Sequence, residues 1–125
     1  MKQKQVQKHD VVQHRRYEVL PVFDIALFNS STMSDKALQL EIIKLFATQL
    51  ISVRQSLDCA PMNLEEAKFL GHTLRGAALA IGADEIAALA LEWDELAFDQ
   101  SEFTRLLAEA EVRFNAAAAT FFQNS

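Results

Sequence analysis

The chain has little that punctuates or crosslinks a fold: one cysteine, three glycines and two prolines in 125 residues. A single cysteine, Cys59, excludes an internal disulfide and offers at most one ligand to a thiolate metal site, which fits a reducing compartment. It reads as a small buried hydrophobe or a bystander near a helix end. With so few helix breakers, and no stretch in which β-branched and polar residues alternate, nothing announces a strand. The longest run of apolar residues and glycine, 77–83, is far short of the ~20 residues that a membrane-spanning helix needs. The N-terminus opens on lysines and glutamines, so no secretory signal is expected and a cytoplasmic location is. No nucleophile–base–acid set, zinc-ligand spacing or glycine-rich nucleotide loop is present, so an enzyme with its own small-molecule site is not expected, nor is a bound metal or cofactor.

Charge is abundant but uneven. Residues 1–20 carry Lys2, Lys4, Lys8, Arg15 and Arg16 against Asp10 and Glu18, which leaves seven basic and fifteen acidic residues in the remainder, a net charge of −8 there and −5 overall. An acidic body without a basic stripe argues against nucleic acid as a partner. The basic head reads as a flexible, solubilising tail, and its His9 and His14 as solvated tail residues.

From Pro21 onward the pattern is helical throughout, and the length suits one domain, residues 21–125, with a core of its own. Residues 22–28 read as a short amphipathic helix and Asn29-Ser30-Ser31-Thr32 as a loop. Ser34 is placed to cap a long helix to about Cys59, in which Ile43, Phe46, Leu50, Val53 and Leu57 recur at spacings of three and four. Pro61 breaks the chain. Asn63 followed by Glu66 is a capping-box start for a helix that Gly82 ends. Asp84 is placed to cap the next, with Ile86, Leu89, Trp93 and Leu96 on one face; Ser101 the last, with Phe103, Leu106, Ala110, Phe114, Ala117 and Phe121 inward. Four long helices with short connections predict an all-α, antiparallel up-down-up-down four-helix bundle with a short additional N-terminal helix. Trp93 and the phenylalanines read as core, and Glu92, Asp94 and Glu95 as a solvated acidic face.

On a helical wheel of residues 64–81, Leu70, Leu74, Ala77 and Ile81 share the core side, and His72 lies about 160–180° away. Glu65, Lys68, Phe69, Arg75, Gly76 and Leu79 flank it. Imidazole, which titrates near pH ~6.5, is in its neutral form a nucleophile able to attack an acyl phosphate at cytosolic pH. Arg75 and Lys68, one turn to either side, are cations in reach of moving phosphoryl oxygens, and Gly76 removes a side chain beside the reactive ring. A glycine in an alanine-rich turn costs about 1 kcal/mol of helix propensity and so asks for a steric reason. Phe69 and Leu79, apolar on a wet face, suit a docking patch, with Leu38, Ile42 and Leu45 of the long second helix as weaker candidates.

The segment Gly71-His72-Thr73-Leu74-Arg75-Gly76-Ala77-Ala78-Leu79-Ala80-Ile81-Gly82-Ala83 resembles the signature of histidine-containing phosphotransfer domains: His-x-Leu-Lys-Gly, small residues, then Gly-Ala. The resemblance extends over about residues 21–125 and leaves the head unmatched. It implies a four-helix bundle, often with a short extra helix, whose exposed histidine takes phosphate on a ring nitrogen without bound metal. By position it makes His72 the phosphoacceptor, Arg75 the residue at the usual lysine position and Gly76 the clearance glycine. Arginine keeps the charge but presents a planar fork in place of a point ammonium. Gly71 stands where alanine is more frequent. The implied partners are response-regulator receiver domains or a hybrid sensor histidine kinase, which bring the Mg²⁺ and the acyl phosphate to a monomeric shuttle without its own nucleotide site. The competing expectation is a helical interaction module that binds or sequesters a response regulator without being phosphorylated.

Overall fold

Short side chains that accept from free backbone amides set most of the helix starts, since the first amides of a helix have no partner within it. The computed structural model describes residues 21–96 and 99–124; the basic head 1–20, with His9 and His14, lies outside them. Its helices are α1 (Ile25–Thr32), α2 (Lys36–Cys59), α3 (Leu64–Ile81), α4 (Asp84–Leu96) and α5 (Gln100–Gln123). Among the described residues there is no strand, and no helix is long and apolar enough to cross a membrane.

The ends of α3 follow the expected chemistry. Asn63 accepts from the Glu66 amide at 2.8 Å while Glu66 accepts from the Asn63 amide at 3.0 Å, and Gly82 closes the helix in the left-handed region at φ 84°. Other boundaries differ from expectation. Asn29-Ser30-Ser31-Thr32 is not a loop but the second half of α1, capped by Asp24 through the Leu27 amide at 3.1 Å. The Ser31 and Thr32 hydroxyls bond back to the Phe28 carbonyl, which absorbs these polar residues into the helix. Ser34 has φ 56° and Asp35 caps α2 in its place. Asp99, not Ser101, caps α5, and Asp84 is the first residue of α4.

α3 packs on α2 and α4, both of which pack on α5, while α1 lies across α2 and α3. Inside, Phe23, Phe28, Phe114 and Phe121 meet edge to face or tilted at 5.1 to 5.7 Å between ring centres, and Trp93 stacks on Phe103 at 4.5 Å. Two ion pairs join helices around this core: Arg54 of α2 with Glu111 of α5 at 2.6 Å, and Arg113 of α5 with Glu85 of α4 at 2.7 Å. Gln39 is buried, but its amide donates to Asn29 and Thr32, tying α2 to α1. Gln100 holds the turn between α2 and α3, donating to the Leu57 and Ala60 carbonyls and accepting from Met62.

Three burial expectations need correction. α3 is covered on two sides, so Ala67, Gly71 and Ala78 are buried with Leu74 and Ile81, while Leu70 and Ala77 are only half-buried. Glu92 is buried and Asp94 half-buried, which leaves Glu95 as the solvated member of that acidic group. Leu96, at the end of α4, is exposed; Cys59, exposed as the last residue of α2, is the bystander at a helix end rather than a buried hydrophobe.

At Gly71, α3 and α4 pack without room for a side chain. A Cβ there would lie 2.9 Å from the Ala90 carbonyl oxygen and from the Asp94 nitrogen and Cβ. Gly71→Ala is therefore expected to lower stability by about 1–3 kcal/mol despite its better helix propensity, read from the urea midpoint; an unchanged midpoint contradicts this packing. Asp84 supplies a pH prediction. Burial first, then the neighbouring charge of Asp24, hold its carboxyl above the ordinary range. The folded state thus binds this proton more tightly than the unfolded chain, so its contribution is present below the ordinary carboxylate pKa of about 3.9 and lost as pH rises through the raised value. The stability of the wild type relative to Asp84→Asn should fall across that window; a difference independent of pH contradicts it.

Candidate functional site

The α3–α4 contact decides which way α3 faces. With Ala67, Gly71 and Ala78 set against neighbouring helices and Leu74 and Ile81 in the core, the 100° step per residue turns 65, 69, 72, 76, 79 and 80 outward. His72 is exposed on that face. Gly76, at i+4, is open: a Cβ there would meet nothing within 4 Å. The imidazole is thereby free of crowding from the turn that follows it.

The two sides of His72 differ in chemistry. Toward α4 lie Lys68 and Arg75, each within about 60° of the histidine on the wheel. Lys68 donates its Nζ to the Asp94 carbonyl of α4 at 3.0 Å. Arg75 is half-buried and makes no hydrogen bond or ion pair with the described residues, which leaves its guanidinium as the uncommitted cation. Toward α2 lies Phe69, 73% exposed; Leu79, also exposed, stands beside His72 on the Lys68 side.

Beyond Phe69, the groove between α2 and α3 opens into a cleft of about 570 Å³, whose walls include Gln49, Val53, Met62, Phe69, Leu70 and Thr73. On α2, Leu38, Ile42 and Leu45 lie within about 80° of Gln49, Val53 and Ser56, the residues through which that helix lines the cleft. Leu38 and Leu45 are exposed, whereas Ile42 packs on the core. The nominated apolar residues of α2 thus occupy the side of that helix from which the cleft wall is built.

Sequence reasoning did not find the cleft, the contribution of Thr73 and Gln49 to it, or the Lys68–Asp94 contact. Each arises between residues on different helices, and no local pattern signals it. Gly71 did carry a signal, the cost of glycine inside a helix, but its reason lies 19 to 23 positions away at Ala90 and Asp94. Chemically the site offers a nucleophilic ring at the surface, a positive edge, an open turn and an adjoining apolar strip. Among the described residues no side chain hydrogen-bonds to the imidazole. No family model, curated protein or solved structure matches this chain.

Proposed function

We propose that this chain is a histidine phosphotransfer protein, a phosphocarrier that takes a phosphoryl group on His72 from the aspartate of one receiver domain and passes it to another in a two-component phosphorelay. The observation that carries this reading is the placement of His72: exposed at the middle of the outward face of α3, between the uncommitted Arg75 and the open turn at Gly76. In this reading the four long helices form an antiparallel up-down-up-down bundle with α1 as the extra helix. The packing of α2 and α4 each against both α3 and α5 supports it.

The proposed chemistry follows from the groups present. The lone pair of one ring nitrogen attacks phosphorus, an N–P bond forms, and the acyl P–O bond breaks with its electron pair leaving on the aspartate carboxylate; the other ring nitrogen keeps its proton. Arg75 stabilises the charge on the equatorial oxygens by charge-assisted hydrogen bonds. The partner brings Mg²⁺ and the acyl phosphate, and the chain needs no cofactor. Gly76 lets the partner approach the ring, and Phe69, Leu79, Leu38 and Leu45 give it apolar surface, with Ile42 beneath. The reaction belongs to the cytoplasm and to a monomer, since one face suffices.

The test is incubation of purified wild type and His72→Gln with a phosphorylated receiver domain, following acid-labile, base-stable label. Label on wild type alone is the expected result. Equal binding of a receiver by both proteins, with label on neither, would overturn the carrier reading in favour of an interaction module.

A further inference from the structure

Lys68 sits at a choice between two acceptors. Its Nζ donates to the Asp94 carbonyl, and Asp94 lies in the last described turn of α4. A lysine there adds a hydrogen bond to that turn and offsets the negative end of the helix dipole. Lys68 is also four residues before His72, a spacing at which side chains on one helix meet. The exposed, flexible stem of the lysine reaches either the α4 carbonyl or a group on the imidazole.

Resting on the proposed phosphorylation of His72, we infer that Lys68 is a two-position positioning residue: it holds the last turn of α4 while His72 is unmodified and moves to the phosphoryl group once it forms. A neutral carbonyl competes poorly with a phosphoryl group carrying between one and two negative charges, because hydrogen bonds between ionised partners are roughly twice as strong as neutral ones. The buried half of the contact cannot follow. Gly71 presses α3 against the Ala90 and Asp94 backbone, so the helices keep their separation while the lysine swings. Phosphorylation thereby leaves the Asp94 carbonyl without its lysine and loosens the end of α4. The phosphorylated and unmodified carriers then present different surfaces beside the same histidine, which a donor and an acceptor can tell apart.

The test uses the whole chain and phosphoramidate as a small phosphoryl donor; its N–P bond breaks and ammonia leaves as the histidine N–P bond forms. Phosphorus NMR reports the phosphohistidine, and the Asp94 carbonyl carbon shift and amide exchange at residues 93–96 report the contact. In the wild type, phosphorylation should move the Asp94 signal to the position that Lys68→Met shows without phosphate. Exchange should rise by about threefold to fivefold, and in Lys68→Met neither readout should respond. Phosphohistidine with an unmoved Asp94 signal and unchanged exchange would overturn the inference and leave the carrier intact. No phosphohistidine under any condition would overturn the carrier reading, and the inference with it.

Discussion

The close approach of α3 to α4 is the constraint on which the rest of this structure depends. Three small residues, Ala67, Gly71 and Ala78, are buried on α3, and at Gly71 the helices are so near that a single methyl group would strike the α4 backbone. That contact fixes the rotation of α3 about its own axis. Because side chains advance 100° per residue, fixing Gly71 inward leaves His72 with one direction to take, toward solvent. The same contact brings the Asp94 carbonyl within reach of Lys68. The local geometry of the candidate site is thus a consequence of packing on the opposite side of the helix.

The other interactions keep that arrangement without intruding on it. The ion pairs Arg54–Glu111 and Arg113–Glu85 brace α5 against α2 and α4, and Gln100 stitches the α2–α3 turn to the start of α5. At the other end of α3 the Asp24 amide donates to the Gly82 carbonyl at 2.7 Å. Gly82 is needed twice there, for its positive φ and because a Cβ would lie 2.7 Å from the Asp24 carbonyl oxygen. None of these contacts uses His72, Arg75, Gly76 or Phe69. The face left over carries a nucleophile, a free cation, an open turn and exposed aromatic surface, a combination that core packing does not account for.

What could be read in the sequence was local. The capping box at Asn63 and Glu66 and the closing glycine at 82 are satisfied within a few residues, so their chemistry is written in consecutive letters. The outward direction of His72 also follows from the period of Leu70, Leu74, Ala77 and Ile81, even though α3 proves to be covered on two sides. The misreadings have non-local or competing causes. The serines and threonine at 30–32 looked like a loop, yet Ser31 and Thr32 turn their hydroxyls back to Phe28, and Thr32 is further held by Gln39 from α2. Glu92 looked solvated because its neighbours are acidic, and burial of that position depends on how α4 is packed. Gly71 looked like a neutral variation before the histidine; only the position of α4 shows why it cannot carry a side chain.

The central claim, that the face around His72 exists for a closely approaching phosphoryl donor, is tested most directly by Gly76→Ala. Among the described residues a Cβ at 76 would meet no neighbouring element within 4 Å, and alanine improves helix propensity by about 1 kcal/mol, so the variant should be as stable as wild type or more so. The measurement is the ratio of its phosphorylation rates by a receiver domain and by phosphoramidate. The account predicts a slower reaction with the receiver and an unchanged one with the small donor, because the added methyl group obstructs only a bulky partner. A ratio unchanged from wild type in a stable Gly76→Ala protein would contradict it.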